Sequence, residues 1–180
     1  MPETKSYSFR QVTMRDVPLL MDWRSRPHIR RWWDAGEPYD QDEIDDPRVA
    51  RWIVALDGRP FAFMQDYAVH GWEEHHFAHL PEGSRGIDQY IGEPEMIGRG
   101  HGSAFIANRM KDMFDAGAPV IATDPHPDNA RAIAVYEKLG FRAVGSPRET
   151  AWGLILPMHA NRKNRSIGTA AASRSTGTGD

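Results

Sequence analysis

Two stretches of this sequence carry side chains spaced for chemistry. The first is Gly98-Arg99-Gly100-His101-Gly102, three alternating glycines between a strand-like and a helix-like segment. Glycine lets the backbone turn its N–H groups onto an anion, and a helix start adds a favourable dipole. Such a cradle suits a pyrophosphate. No Gly-Lys-Ser/Thr follows, so it is not a P-loop, and Phe105 stands where a dinucleotide fingerprint needs its third glycine. A flexible turn is the alternative reading. The second stretch runs from Asp124-Pro125-His126-Pro127-Asp128-Asn129 into residues 130–141. On a helix, Asn129 and Tyr136 share a face roughly 10 Å apart. An amide and a phenol so spaced can hold both ends of an elongated ligand. Otherwise Asn129 is a cap and Tyr136 a core aromatic.

Other groups invite chemistry more weakly. Asp34, Glu37, Asp40, Asp42, Glu43, Asp45 and Asp46 form an acidic run after Trp32-Trp33. As single exposed pairs such charges contribute about 0–1 kcal/mol each, although a collective field can steer a cation. Most of the seven read as a solvated loop. One of the two tryptophans reads as core, and either can shield an ammonium group. His75, His76 and His79 lie beside Glu73 and Glu74, but no His-Glu-x-x-His pattern is present, so they read as a solvated loop rather than a metal site. Ser103 lacks a nucleophile-elbow context.

The elements that must position these groups follow from patterning. Residues 7–12 read as a strand, and Thr13 with Asp16 as a helix start whose buried stripe is Val17, Leu20 and Met21. Arg26-Pro27 breaks that helix, and residues 28–33 form a short one. Residues 52–56 and 61–67 are strands joined by Asp57-Gly58, a hairpin signal. Residues 86–91 make a fourth strand. Residues 103–116 form a helix with Phe105, Ile106, Met110, Met113 and Phe114 inward, followed by a strand at 119–123. Residues 129–139 form a helix stopped by Gly140. Strands at 141–145 and 152–158 finish a mixed α/β unit.

The 180 residues fit one domain, here residues 1–159, with 40% hydrophobic and 26% charged side chains. Residues 160–180 are rich in Ser, Thr, Gly and Ala and read as a disordered tail. Without cysteine there is no disulfide, thiolate metal site or cysteine nucleophile. No apolar run at the start suggests a signal peptide, and none is long enough to cross a membrane. A soluble cytoplasmic protein is the expectation. Residues 1–159 hold 18 basic and 24 acidic side chains, a net of −6. That charge opposes nucleic-acid binding and favours a cationic partner. Nothing separates a monomer from a homodimer.

The glycine loop and the 124–141 segment together resemble the GCN5-related N-acetyltransferase superfamily, over about residues 7–158. The resemblance implies an α/β (α+β) fold with a mixed sheet of six to seven strands flanked by helices, splayed between the fourth and fifth strands. It implies acetyl-CoA as co-substrate, and no metal. The family's loop reads Gln/Arg-x-x-Gly-x-Gly/Ala; Ile97 departs at the first position, while Gly98, Arg99, Gly100, His101, Gly102 and Ser103 follow as the cradle. Asn129 is then expected at the pantetheine and Tyr136 at the sulfur, with Tyr90 and Ile91 on the strand beside them.

Within the superfamily, Trp32-Trp33, Arg85-Gly86-Ile87-Asp88-Gln89 and Thr123-Asp124-Pro125 resemble the aminoglycoside 6′-N-acetyltransferases. That implies Asp88 and Asp124 on a cationic sugar, with Asp88 as acid/base group, and Gln65 and Tyr67 lining the acceptor pocket. Residues 34–82 depart from the family's pattern. The implied reaction is direct transfer in a ternary complex: Asp88 takes the ammonium proton, itself or through a water. The amine then attacks the thioester, a backbone N–H near Tyr90 or Ile91 stabilises the oxyanion, and Tyr136 serves the departing thiolate. The rival acceptors are a siderophore hydroxylamine, a polyamine or a protein N-terminus. The rival class is a non-catalytic acyl-CoA-binding module.

Overall fold

The computed structural model describes residues 6–34 and 36–162. One seven-stranded sheet organises them, in the order β1-β2-β3-β4-β5-β9-β6. β1 (Tyr7–Gln11), β2 (Val49–Leu56), β3 (Arg59–Ala68) and β4 (Arg85–Ile91) form an antiparallel meander. The β2–β3 turn is Asp57-Gly58, both with positive φ (50° and 83°), the backbone a two-residue hairpin demands. β5 (Val120–Thr123) is parallel to β4, and β9 (Met158–Asn161) and β6 (Arg142–Ala143) close the far edge.

Helices cover both faces. Thr13 donates from its N–H and hydroxyl to Asp16 at the entry to α1 (Val17–Ser25). The buried stripe of α1 is Leu20 and Trp23; Met21 and Val17 are only half-buried, because the helix leans on its later turns. α2 (Pro27–Arg30) ends before Trp32 and Trp33, and a short α3 (Gln41–Ile44) forms inside the acidic run. These pack with Ile53, Phe63 and Tyr90 on one face. On the other, α4 (His101–Asp115) buries Phe105, Ile106, Met110, Met113 and Phe114, the five residues its periodicity singles out. Each such side chain contributes about 1.5–3 kcal/mol relative to exposure. α5 (Ala130–Lys138) joins that layer and stops before Gly140, whose φ is +95°.

The C-terminal strand expected over 152–158 divides in two. β8 (Gly153–Ile155) pairs instead with β7 (Arg148–Thr150) as a separate hairpin. Pro157 lacks an N–H for the ladder, and the sheet resumes only at β9, which runs through Asn161. The expected tail from residue 163 onward lies outside the described residues. Among the described residues no helix is long and apolar enough to cross a membrane.

Candidate active site

β4 and β5 pair at only two positions, Arg85–Ile121 and Gly86–Ala122. Beyond these they diverge, which is the expected splay. The N–H of Val69 donates to the Ser84 carbonyl and that of Gly92 to the Phe61 carbonyl, bracketing the β3–β4 ladder. Alternation between the brackets turns the Tyr90 N–H toward β3 and the Gln89 and Ile91 N–H groups toward the gap. Of the two expected oxyanion donors, Tyr90 is therefore excluded by ladder phase and Ile91 retained. The Tyr90 ring instead packs against Phe63, Trp33 and Trp23.

A cleft of about 550 Å³ opens at the splay. Trp32, Asp34, Gln65, Tyr67, Asp88 and Asp124 line it together with Gln89, Asn129 and Tyr136. Asp88 touches the cleft but lies deep in the protein. Gln65 Nε2 donates to it at 2.9 Å. Burial first, then the neighbouring Asp124, push its carboxyl up to about 8. That value suits a group that exchanges protons near neutrality. Tyr67 is pressed against Gly86, where a Cβ would meet its ring at 2.1 Å. Tyr136 is buried, receives a hydrogen bond from Gln89 Nε2, and faces Thr123. Burial and the two aspartates raise its phenol well above the ordinary value, so it keeps its proton. Asn129 is the cap weighed for it, Oδ1 accepting from the Ala132 N–H at 3.2 Å, and it also lines the cleft.

Between β4 and α4, Gly98 and Gly100 adopt φ of +74° and +80°, with no atom within 4 Å of where a Cβ would stand. Gly100 caps α4, and its carbonyl takes the Ala104 N–H, leaving the earlier N–H groups of the first turn without intrahelical acceptors. Positive φ and open space fit a close-approaching anion. His101 turns its ring inward to the Tyr7 hydroxyl, 2.7 Å away, and Phe61. Only its backbone remains for the cradle.

The profile of the family described as Acetyltransferase (GNAT) domain matches residues 12–147. The chain belongs to the GNAT acetyltransferase family. It is 31% identical to the aminoglycoside N(6′)-acetyltransferase type 1 of Klebsiella pneumoniae, over 90% of this chain and 88% of that one. A Serratia marcescens protein of the same name is 32% identical over 78% of this chain and 76% of its own. Among solved structures, aminoglycoside acetyltransferase AAC(6′)-Ib in complex with coenzyme A superposes with a TM-score of 0.80 at 30% identity, covering 91% of this chain and 99% of that one.

Several features of this GNAT domain escaped pattern reading. The 69–84 connection is not a solvated loop at its centre. The His76 side chain is only 8% exposed, with Nε2 2.7 Å from Asp124 Oδ2, and His75 stacks on it at 4.3 Å. Among the described residues no group of three or more His, Asp or Glu is placed to hold a metal. Trp72 and Trp152 also line the cleft, the latter from the β7–β8 hairpin. No local period marks them; they arrive through the fold. Of the acidic run, only Asp34 reaches the cleft. Asp40 and Glu43 form a capping box on α3, and Asp46 pairs with Arg48. Trp33 packs half-buried against the core, Trp32 is exposed, and both line the cleft.

Proposed function

We propose that this GNAT domain uses acetyl-CoA to acetylate the 6′-amino group of aminoglycosides, an inactivation that confers resistance. The observation that carries the reading is a single cleft at the splay that gathers Asp88, Asp124 and Tyr136 in its lining. Its residues fit the co-substrate: the glycine cradle offers backbone N–H groups to the pyrophosphate, and Asn129 and Gln89 offer amides beside the gap. The Gln89 Oε1 atom is buried without a partner among the described residues, an acceptor for a ligand N–H. Acetyl-CoA supplies an activated acetyl thioester open to attack by an amine.

The chain's own groups do the rest. Asp88, Asp124 and Asp34 draw in a multiply charged amine, and Trp32 and Trp152 flank it. A cation beside the two aspartates favours their charged forms, so Asp88 releases its proton to solvent through the cleft as the amine enters. The Asp88 carboxylate then takes a proton from the ammonium group and leaves a nucleophilic amine. The Gln89 and Ile91 N–H groups face the gap as donors for charge developing on a carbonyl oxygen. Tyr136, which keeps its proton, supplies it to the departing thiolate. An acetyl-CoA-dependent reaction supports a cytoplasmic setting.

The test is acetyl-CoA turnover against kanamycin, ribostamycin, polyamines and peptides, with the acetylated nitrogen located by NMR. Transfer to the 6′-amine is the expected result. A protein active on no 6′-amino aminoglycoside overturns the substrate class.

A further inference from the structure

His76 belongs to the stretch that departs from the aminoglycoside acetyltransferase pattern, yet it is lodged against the acceptor site. We propose that His76 is a positioning residue: its neutral imidazole donates Nε2–H to Asp124, holds that carboxylate as the one that meets the cation, and leaves the pair's shared proton on Asp88. The inference rests on the amine-acetylating reading and assigns separate tasks to its two aspartates.

The contact is short and enclosed, 2.7 Å between side chains only 8% and 16% exposed. The His76 Nδ1 atom is buried with no partner among the described residues. An imidazolium would bury an unpaired N–H there, whereas the neutral Nε2–H form leaves only a lone pair, the less costly omission. The ring cannot easily rotate away. Phe77 lies 4.3 Å from it on one side, His75 at 4.3 Å and Trp152 at 5.4 Å. The titratable and charged groups around it are Asp124 after β5, Asp88 on β4, Tyr67 on β3, His75 on its own segment, and Arg148 of β7, which donates to the His76 carbonyl at 3.1 Å.

Asp88 and Asp124 are close enough to hydrogen-bond, and two such carboxylates titrate as a pair holding one proton between them. A charged acceptor takes a stronger hydrogen bond than a neutral one. Gln65 Nε2 donates to Asp88 as well, at 2.9 Å, but the shorter 2.7 Å donor from His76 and the deep burial of Asp88 together place the pair's negative charge on Asp124 and its proton on Asp88.

His76→Phe keeps a stacking ring and removes the donor; His76→Gln restores an N–H. In steady-state kinetics with kanamycin, His76→Phe is expected to raise KM about tenfold or more, the scale of a lost hydrogen bond to a charged group. The acid limb of kcat/KM is expected to move up by about one pH unit, because the pair accepts its second proton more readily. KM for acetyl-CoA stays unchanged, and His76→Gln recovers both effects. Equal losses of kcat and Tm in both variants with an unmoved acid limb would overturn the assignment. Long-range 15N–1H correlation spectra at pH 7.5, assigned with His76→Phe, read the tautomer without any substrate. Nε2–H with bare Nδ1, perturbed in Asp124→Asn, is expected; a doubly protonated ring or Nδ1–H overturns the proposal. If the wild type acetylates no amine, the functional reading falls while the spectra still decide His76.

Discussion

A carboxyl group held at the floor of a cleft beside a second carboxylate gives Asp88 a signature in stability as well as in turnover. Its proton affinity is higher folded than unfolded, so the folded chain holds one more proton between the ordinary aspartate value of 3.8 and about 8. Stability from this group is thus full below pH 3.8 and lost as pH rises through that window. Asp88→Asn should melt higher than wild type by a margin that grows from pH 5 to pH 8, while turnover falls about 100- to 10,000-fold. A margin independent of pH would place the Asp88 proton elsewhere. Tyr136→Phe keeps the ring against Phe141, 5.4 Å away, and loses only the hydroxyl. It should lower kcat about 100-fold or more and leave acetyl-CoA affinity nearly intact. Unchanged turnover from pH 6 to 9 would reduce Tyr136 to a packing residue.

At the scale of elements, two glycine positions govern the two halves of the site for different reasons. Gly100 caps α4 at a φ of +80° with nothing near its Cβ position, so a side chain there strains the backbone and blocks approach to the first-turn N–H groups. Saturating acetyl-CoA should stabilise the wild type by about 2.7 kcal/mol at a hundredfold excess over its Kd. Gly100→Val should abolish that thermal shift. Gly86 is different: its φ is ordinary, but a Cβ would stand 2.1 Å from the Tyr67 ring. Gly86→Ala should cost about 1–3 kcal/mol by overpacking and raise KM for the amine, since Tyr67 must swing into the cleft. Kinetics that change on the acetyl-CoA side alone would contradict this division.

Across the whole molecule, acid sensitivity should come from two imidazoles far apart in sequence. Burial above all holds His75 and His159 down to about 4, against an ordinary 6.5. Both bind fewer protons folded than unfolded, so the stability they lend is present above pH 6.5 and lost as pH falls toward 4. Between those values the two histidines outweigh the opposing Asp88; above 6.5 Asp88 acts alone. Thermal melts are expected to peak near pH 6.5, and the double variant His75→Gln/His159→Gln should flatten the acid side. The sheet is also tied across its layers by Asp66, fully buried, which accepts from Arg85 at 2.6 Å, Arg109 at 2.9 Å and Trp52 Nε1 at 2.9 Å. Removing that carboxylate leaves the Arg85 guanidinium without its partner and Arg109 with only a 3.7 Å contact to Asp112. Asp66→Ala should cost about 3–5 kcal/mol, read by denaturant unfolding.

Much of this was legible in one dimension. The five inward residues of α4, the Asp57-Gly58 turn, the Gly140 stop and the glycine cradle are local events, set by helical period and by backbone conformations that few residues tolerate. Asp88, Tyr136, Asn129, Gln65, Tyr67 and Asp124 were singled out through motifs, and they line one cleft because β4 and β5 part after two rungs. The tertiary structure alone decided the rest. Ladder phase chose the Ile91 N–H over that of Tyr90. The break at Pro157 sent Trp152 to the cleft on its own hairpin. The 69–84 connection brought His76 to Asp124, 48 positions away. None of these leaves a local pattern, because each depends on which groups meet after the sheet has closed.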